Sequence, residues 1–161
     1  VQLSPNTITG GDNGSGYSDE HESIEGFAFT QMSGIGWYGD LGNFLVMPTI
    51  GPMHTNSGKL ENPDAGYRSR YDKASEYARA GYYSVYLSDY RIRTEATVAQ
   101  RAGMLRLTAG AEIHRQVSSF EGKHLGFFTE FETTKDEVVL MKAGISFVSE
   151  ENARENLDRN S

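Results

Sequence analysis

The feature that most constrains the fold is a strict two-residue alternation in the middle of the chain. Tyr82–Leu87 and Arg91–Val98 are joined by Ser88-Asp89-Tyr90, which suits a tight turn. In the second stretch one set of side chains alternates with another: Ile92, Thr94, Ala96 and Val98 with Arg91, Arg93, Glu95 and Thr97. Because successive side chains of a strand point to opposite faces, the pattern predicts an antiparallel hairpin with one buried side.

Short strands with frequent turns are predicted over most of the remaining chain. They are Val1–Leu3, Phe27–Met32, Met104–Thr108, Leu125–Phe131, Val138–Met141 and Gly144–Val148. Gly10–Tyr17 is rich in Gly, Asp, Asn and Ser, which predicts a solvated loop. The chain is therefore predicted to be all-β, an antiparallel β-sandwich with a short C-terminal helix.

The predicted helix begins after Ser149, a residue type that commonly caps helices. Glu150 and Glu151 suit the positive end of the helix dipole. Val148 is placed to pack as a hydrophobic staple on Ala153.

Composition excludes several classes of partner. The 161 residues carry a net charge of −7 and no cluster of Lys and Arg, which argues against nucleic acid. The nearest basic group, Arg68, Arg70 and Lys73, is interleaved with Tyr67, Tyr71 and Asp72. No apolar stretch approaches the length of a transmembrane segment, and the absence of cysteine removes thiol chemistry.

No catalytic or metal constellation is visible along the sequence. The four histidines, His21, His54, His114 and His124, lie far apart. The acidic pairs are adjacent in sequence, so in extended chain their carboxylates point to opposite faces. We therefore predict no catalytic residue and no metal ligand within the chain.

One glycine-dense loop, residues 33–40, carries the only tryptophan. Gly36, Trp37 and Tyr38 stand at its centre. An indole on such a loop can stack on the apolar face of a sugar, or it can simply anchor the core beside a turn. Residue types alone leave both interpretations open.

The order of several short motifs resembles glycoside hydrolase family 92. The motifs are Val1–Thr7, Gly26–Phe29, Ser33–Gly36, Gly39-Asp40, Met47–Thr49, Gly81–Val85, Arg101–Gly103, Lys142–Ser149, Glu151–Ala153 and Asn156-Leu157. The sequence departs from the family pattern at Ala80, where a proline is usual. It departs again at Phe27–Met32, which replaces a stretch that often carries histidines.

The resemblance implies an exo-acting α-1,2-mannosidase that hydrolyses terminal mannose from glycans by an inverting, calcium-assisted mechanism. Residues 1–148 would form its N-terminal sandwich, and residues 149–161 would begin the helical linker toward an (α/α)₆ catalytic domain. That domain would bind the calcium, so the 161 residues alone are expected to be inactive. The family would place Trp37, with Gly36 and Tyr38, against the substrate, and it implies a secreted, periplasmic or outer-membrane-attached protein.

Two other functions stay open at this point. The chain could be a stand-alone carbohydrate-binding module that uses Trp37 and Tyr38 as its platform. It could also be a structural sandwich in a secreted protein of another function.

Overall fold

The computed structural model describes residues 3–8, 16–29, 44–110, 117–118, 128–146 and 148–159. Its strands are β1 (Ser4–Asn6), β2 (Ser23–Ile24), β3 (Gly26–Ala28), β4 (Leu45–Val46), β5 (Ser69–Arg70), β6 (Tyr77–Arg79), β7 (Tyr82–Leu87), β8 (Ile92–Val98), β9 (Ala102–Ala109), β10 (Val117–Ser118), β11 (Phe128–Thr129) and β12 (Val138–Gly144). The helix α1 spans Glu150–Asp158, and two 3₁₀ helices span Pro63–Ala65 and Lys73–Ser75. None of these helices is long and apolar enough to cross a membrane.

The strands form two main sheets. A five-stranded antiparallel sheet has the order β12-β9-β8-β7-β6, and a three-stranded antiparallel sheet has the order β1-β3-β4. The short pairs β2–β5 and β10–β11 complete the pairing among the described residues. This architecture confirms the predicted all-β antiparallel sandwich.

The core lies between the two sheets. Phe27 and Phe29, fully buried, share a cluster with Val85 and Leu87 of β7 and with Leu105 of β9. Burial of each phenylalanine contributes about 1.5–3 kcal/mol to folding. The sandwich is therefore held by the inner face of the large sheet and by one short strand of the small sheet.

The central hairpin forms as predicted, with one adjustment. Leu87 pairs with Ile92, so the turn has four residues, and Arg91 belongs to it with a φ of 55° rather than to the strand. Thr94 and Ala96 are buried as expected, whereas Val98 is 38% exposed at the strand end.

Two strands near the N-terminus have other bounds than predicted among the described residues. Strand β1 covers Ser4–Asn6, so Leu3 of the predicted strand Val1–Leu3 lies outside it, and residues 1–2 are not among those described. Pro5 is tolerated in β1 because it lies opposite Phe27 on an outer strand, where no N–H is required. Strand β3 ends at Ala28, and residues 30–32 lie outside the described ranges.

Towards the C-terminus, Gly144–Val148 is not a separate strand, since only Gly144 continues β12. The amide of Asn156 on α1 donates to the Ile145 carbonyl at 2.9 Å, which replaces a strand partner there. Within the predicted strand Leu125–Phe131, strand β11 covers residues 128–129, residues 130–131 lie outside it, and residues 125–127 are not among those described.

The C-terminal helix confirms one capping prediction and overturns another. Ser149 Oγ accepts a hydrogen bond from the Asn152 N–H at 3.2 Å. Val148, however, is 82% exposed, so the predicted staple on Ala153 is wrong. The helix is held instead by β12, where Lys142 Nζ donates to the Leu157 carbonyl.

Gly144 sets how closely α1 approaches β12. A Cβ at this position would lie 2.6 Å from the Ala153 carbonyl oxygen and 3.0 Å from the Leu157 nitrogen. Both atoms belong to helix backbone, which cannot yield as a flexible side chain can.

We predict that Gly144→Ala lowers the free energy of unfolding of the full-length protein by about 1–3 kcal/mol, because the methyl group overpacks this contact. Val148 lies four residues after Gly144 and is largely exposed to water. Val148→Ala should therefore change the free energy of unfolding by no more than about 0.5 kcal/mol. Denaturant unfolding measures both. An unchanged stability for Gly144→Ala would show that α1 does not pack on β12 at this distance.

Candidate functional site

The candidate substrate loop, residues 30–43, has a well-defined base. The Phe29 N–H donates to the Phe44 carbonyl at 3.0 Å, directly where the chain leaves β3 and enters β4. The two rings meet edge to face, with centroids 5.3 Å apart at 71°. Phe29 also belongs to the core cluster, so the base of the loop is fixed by the core of the sandwich.

Gly26 brings the two strands of this base close together. A Cβ at Gly26 would lie 2.8 Å from Leu45 Cγ and 3.0 Å from the Val46 carbonyl oxygen. The close approach explains a glycine in the Gly26–Phe29 motif without any appeal to a positive φ.

The predicted substrate residues themselves lie outside the described residues. Gly36, Trp37 and Tyr38 all fall within 30–43. The structure therefore shows how the loop is anchored, and the contact of these residues with substrate stays a prediction.

A second glycine-rich segment, residues 9–15, is also closed at its base. Ile8 and Gly16 form a bridge, with the Gly16 N–H donating to the Ile8 carbonyl at 2.9 Å. Thr7 Oγ1 accepts from the Ser18 N–H at 3.0 Å and lies 2.8 Å from His21 Nδ1. Because β1 and β3 are antiparallel, the segments 9–15 and 30–43 leave the small sheet at opposite ends.

A buried ionic network lies beside the base of segment 9–15. Arg68 is 4% exposed and Glu25 is 8% exposed, and their side chains approach to 3.9 Å. Arg68 Nη1 also donates to Ser23 Oγ at 2.9 Å and to the Thr7 carbonyl at 3.2 Å. Sequence reasoning missed this network, because Arg68 stands in a run of charged and aromatic residues that is typical of a solvated surface.

The burial of this network shifts the pKa values of Arg68 and of its neighbour Tyr67. Burial lowers the pKa of Arg68 below its usual value, and the nearby Glu25 carboxylate opposes the shift. Burial also raises the pKa of Tyr67, with Glu25 adding to the effect. The network therefore fixes the ends of β1, β2 and β5 at the expense of desolvating two charges.

The other basic residues of this run are neutralised at the surface. Arg70 forms a bidentate pair with Asp64 at 2.7 and 2.8 Å and also contacts Asp89. Lys73 lies 3.5 Å from Asp19. Arg70 and Lys73 are therefore both paired with carboxylates at the surface.

Glu76 ties the residues after segment 9–15 to the large sheet. Its carboxylate accepts from Tyr17 Oη at 2.9 Å and from Tyr83 Oη at 2.5 Å. Burial, followed by the Glu76 hydrogen bond, raises the pKa of Tyr83 well above its usual range. The same two causes raise the pKa of Tyr17.

Comparison with known proteins shows the family. The sequence profile described as the Glycosyl hydrolase family 92 N-terminal domain matches residues 1–117. The chain belongs to this family. The resemblance carried by the short motifs is thereby confirmed, while no curated protein matches the chain in sequence.

Solved structures support the family 92 assignment over nearly the whole chain. The α-mannosidase BT3965 from Bacteroides thetaiotaomicron, in complex with mannoimidazole, is 27% identical with a TM-score of 0.84. A second structure of BT3965 gives 26% identity and the same TM-score. The matches cover 98% of this chain but only 30% and 31% of the relative's chain, so this chain spans less than one third of its relative's length.

We predict that Arg68→Met lowers the free energy of unfolding by about 3–5 kcal/mol, because it removes one charge of a buried ion pair together with its hydrogen bonds to Ser23 and Thr7. The matched control is Arg70→Met, which removes exposed ion pairs and should cost at most about 1 kcal/mol. Denaturant unfolding of the full-length protein compares the two variants. Equal losses in the free energy of unfolding for the two variants would mean that the buried Arg68 network stabilises the fold no more than the exposed ion pairs of Arg70.

The raised pKa of Tyr83 predicts an alkaline instability. The pKa of Tyr83 in the folded state lies above its unfolded value of about 10. The contribution of the protonated Tyr83 hydroxyl to the free energy of unfolding is therefore complete below about pH 10 and declines as the pH rises further. Between pH 8 and 11, the melting temperature of Tyr83→Phe should therefore fall less steeply with rising pH than the melting temperature of the wild type. Tyr77→Phe, which alters a ring 53% exposed on β6, should keep the wild-type slope.

Proposed function

We propose that the chain forms the N-terminal sandwich of an exo-acting α-1,2-mannosidase, which hydrolyses terminal mannose from glycans with inversion. The proposal rests on the structural similarity to an α-mannosidase over 98% of the chain at 27% sequence identity, together with the match to the family 92 profile. We also propose that the enzyme works outside the cytoplasm, as a secreted, periplasmic or outer-membrane-attached protein.

In this proposal the chemistry belongs to an (α/α)₆ domain that follows in the same chain, joined by a linker that begins with α1. An inverting glycosidase needs a carboxylic acid and a carboxylate about 6.5–9.5 Å apart. Within the described ranges, no group of three or more His, Cys, Asp or Glu side chains could hold a metal ion. Following the family resemblance, we propose that the second domain holds the calcium.

The contribution of the sandwich is to present residues 30–43 to the leaving sugar. The edge-to-face contact of Phe29 and Phe44 ties the base of this loop to a rigid core. An indole can stack on the apolar C–H face of a pyranose. We propose that Trp37 makes this contact, flanked by Gly36 and Tyr38.

We predict that Trp37→Ala in the full-length enzyme weakens hydrolysis of an α-1,2-mannobioside more than hydrolysis of an aryl α-mannoside. The indole would contact the leaving sugar, so its effect depends on the leaving group. The expected loss in kcat/KM on the disaccharide is about 10- to 100-fold.

Phe29→Leu is the matched control, because it alters the loop base through the core. It should lower the melting temperature and reduce both activities together. If Trp37→Ala behaves in the same way as Phe29→Leu, Trp37 is a core residue and the proposed contact is wrong.

A further inference from the structure

The large sheet has an outer face, which we define as the side opposite the core cluster. Register places on it the side chains that alternate with the buried ones. On strands β6 to β9 they are Tyr77, Arg79, Tyr82, Ser84, Tyr86, Arg93, Glu95, Thr97, Ala102, Met104, Arg106 and Thr108. On this face α1 packs against β12 through Lys142 and Gly144, so among the described residues it covers only that edge of the sheet.

The outer face is basic on a chain that is acidic as a whole. Between β6 and β9 it carries Arg79, Arg93 and Arg106 against the single carboxylate of Glu95, although the chain has a net charge of −7. Arg106 pairs with Glu95 at 2.7 Å. Arg93 also interacts electrostatically with the Glu95 carboxylate. Within the part of the chain that the structure describes, neither Arg79 nor Arg93 forms a salt bridge within 4.0 Å, and three guanidinium groups share one carboxylate on this face.

Aromatic rings lie between these two cations. Tyr77 is 53% exposed and Tyr86 is 37% exposed, which is unusual for rings of this size on a sheet. The Tyr77 ring lies 6.1 Å from the Tyr82 ring, and Arg79 stacks over Tyr82 at 5.3 Å.

The surrounding side chains are already held in place. Tyr82 Oη and Arg106 Nη1 both donate to the Glu95 carboxylate at 2.7 Å, which fixes the orientation of these three side chains. Arg93 Nη2 donates to Ser84 Oγ at 3.2 Å, and Ser84 is fully buried beneath its larger neighbours. Little side-chain entropy is therefore lost when a ligand is bound.

We propose that the outer face binds an extended anionic polysaccharide, with sugar rings on Tyr77 and Tyr86 and negative groups at Arg79 and Arg93. These arginines are two strands and four residues apart in register, about 17 Å between their backbones, so they present positive charge at two separate positions along the face. The choice of a saccharide among anions rests on the proposed function. The site would bring polymeric glycans to the enzyme at a surface separate from the loop at residues 30–43.

Titration calorimetry on the full-length protein tests the proposal with three probes. They are a mannan carrying phosphodiester groups, the same mannan after removal of phosphate, and polygalacturonate. We expect the phosphorylated mannan to bind more tightly than the dephosphorylated one, and less tightly as salt is raised. Binding of polygalacturonate as well would extend the anion from phosphate to carboxylate.

Variants then locate the binding surface. Arg79→Ala and Arg93→Ala should each weaken binding of the phosphorylated mannan by about tenfold, and Tyr77→Ala should do the same while Tyr77→Trp retains binding. Lys59→Ala, which removes a positive charge outside the large sheet, should have no effect. Hydrolysis of an aryl α-mannoside should be unchanged in all of them.

Equal affinity for both mannans, or an equal effect of Lys59→Ala, would overturn the proposal. So would self-association in sedimentation that Arg79→Ala abolishes, since the face would then bind a second copy. If the full-length protein binds phosphorylated mannan through Arg79 and Arg93 but hydrolyses no mannoside, the proposed function fails and this surface stands.

Discussion

The packing of Phe27 and Phe29 on the inner face of the large sheet is the contact on which the other features depend. It joins the two layers of the sandwich, because both rings lie in one cluster with Val85, Leu87 and Leu105. Phe29 has a second role, since its N–H and ring also close the base of residues 30–43. The two residues that flank segment 30–43 are therefore positioned by the core, and a substitution that loosens the core is expected to move them as well.

The opposite end of the small sheet is organised by polar groups instead. Arg68 and Glu25 are buried together, and Arg68 reaches chain positions 61 and 45 residues away through Thr7 and Ser23. Such a pair adds little net stability, but removing one partner leaves an expensive buried charge. The pair fixes the relative positions of segments that are distant in sequence. Its hydrogen bonds are directional, so they define these positions more narrowly than apolar packing does.

Sequence alone predicts what is decided locally. The hairpin at Tyr82–Val98 follows from alternation, and Ser149 caps its helix through an N–H three residues away. The Arg68–Glu25 pair could not be found in this way, because its partners meet only when β2 and β5 pair. Val148 fits the staple pattern, yet the helix is positioned by Gly144 on β12, which leaves Val148 in water. The contact of Trp37 with substrate rests on the family resemblance, since residue types leave two roles open.

The two candidate ligand surfaces differ in how strongly they are coupled to the fold. The loop base shares Phe29 with the core, so a change at Phe29 is expected to alter folding and the base of segment 30–43 together. The outer face projects from the other side of the large sheet, where Arg79 and Tyr77 are exposed and surface substitutions usually change stability by less than about 0.5 kcal/mol. Among the described residues the loop base and the outer face lie on different layers and share no side chain. Substitutions on the outer face are therefore expected to leave the Phe29–Phe44 contact unchanged.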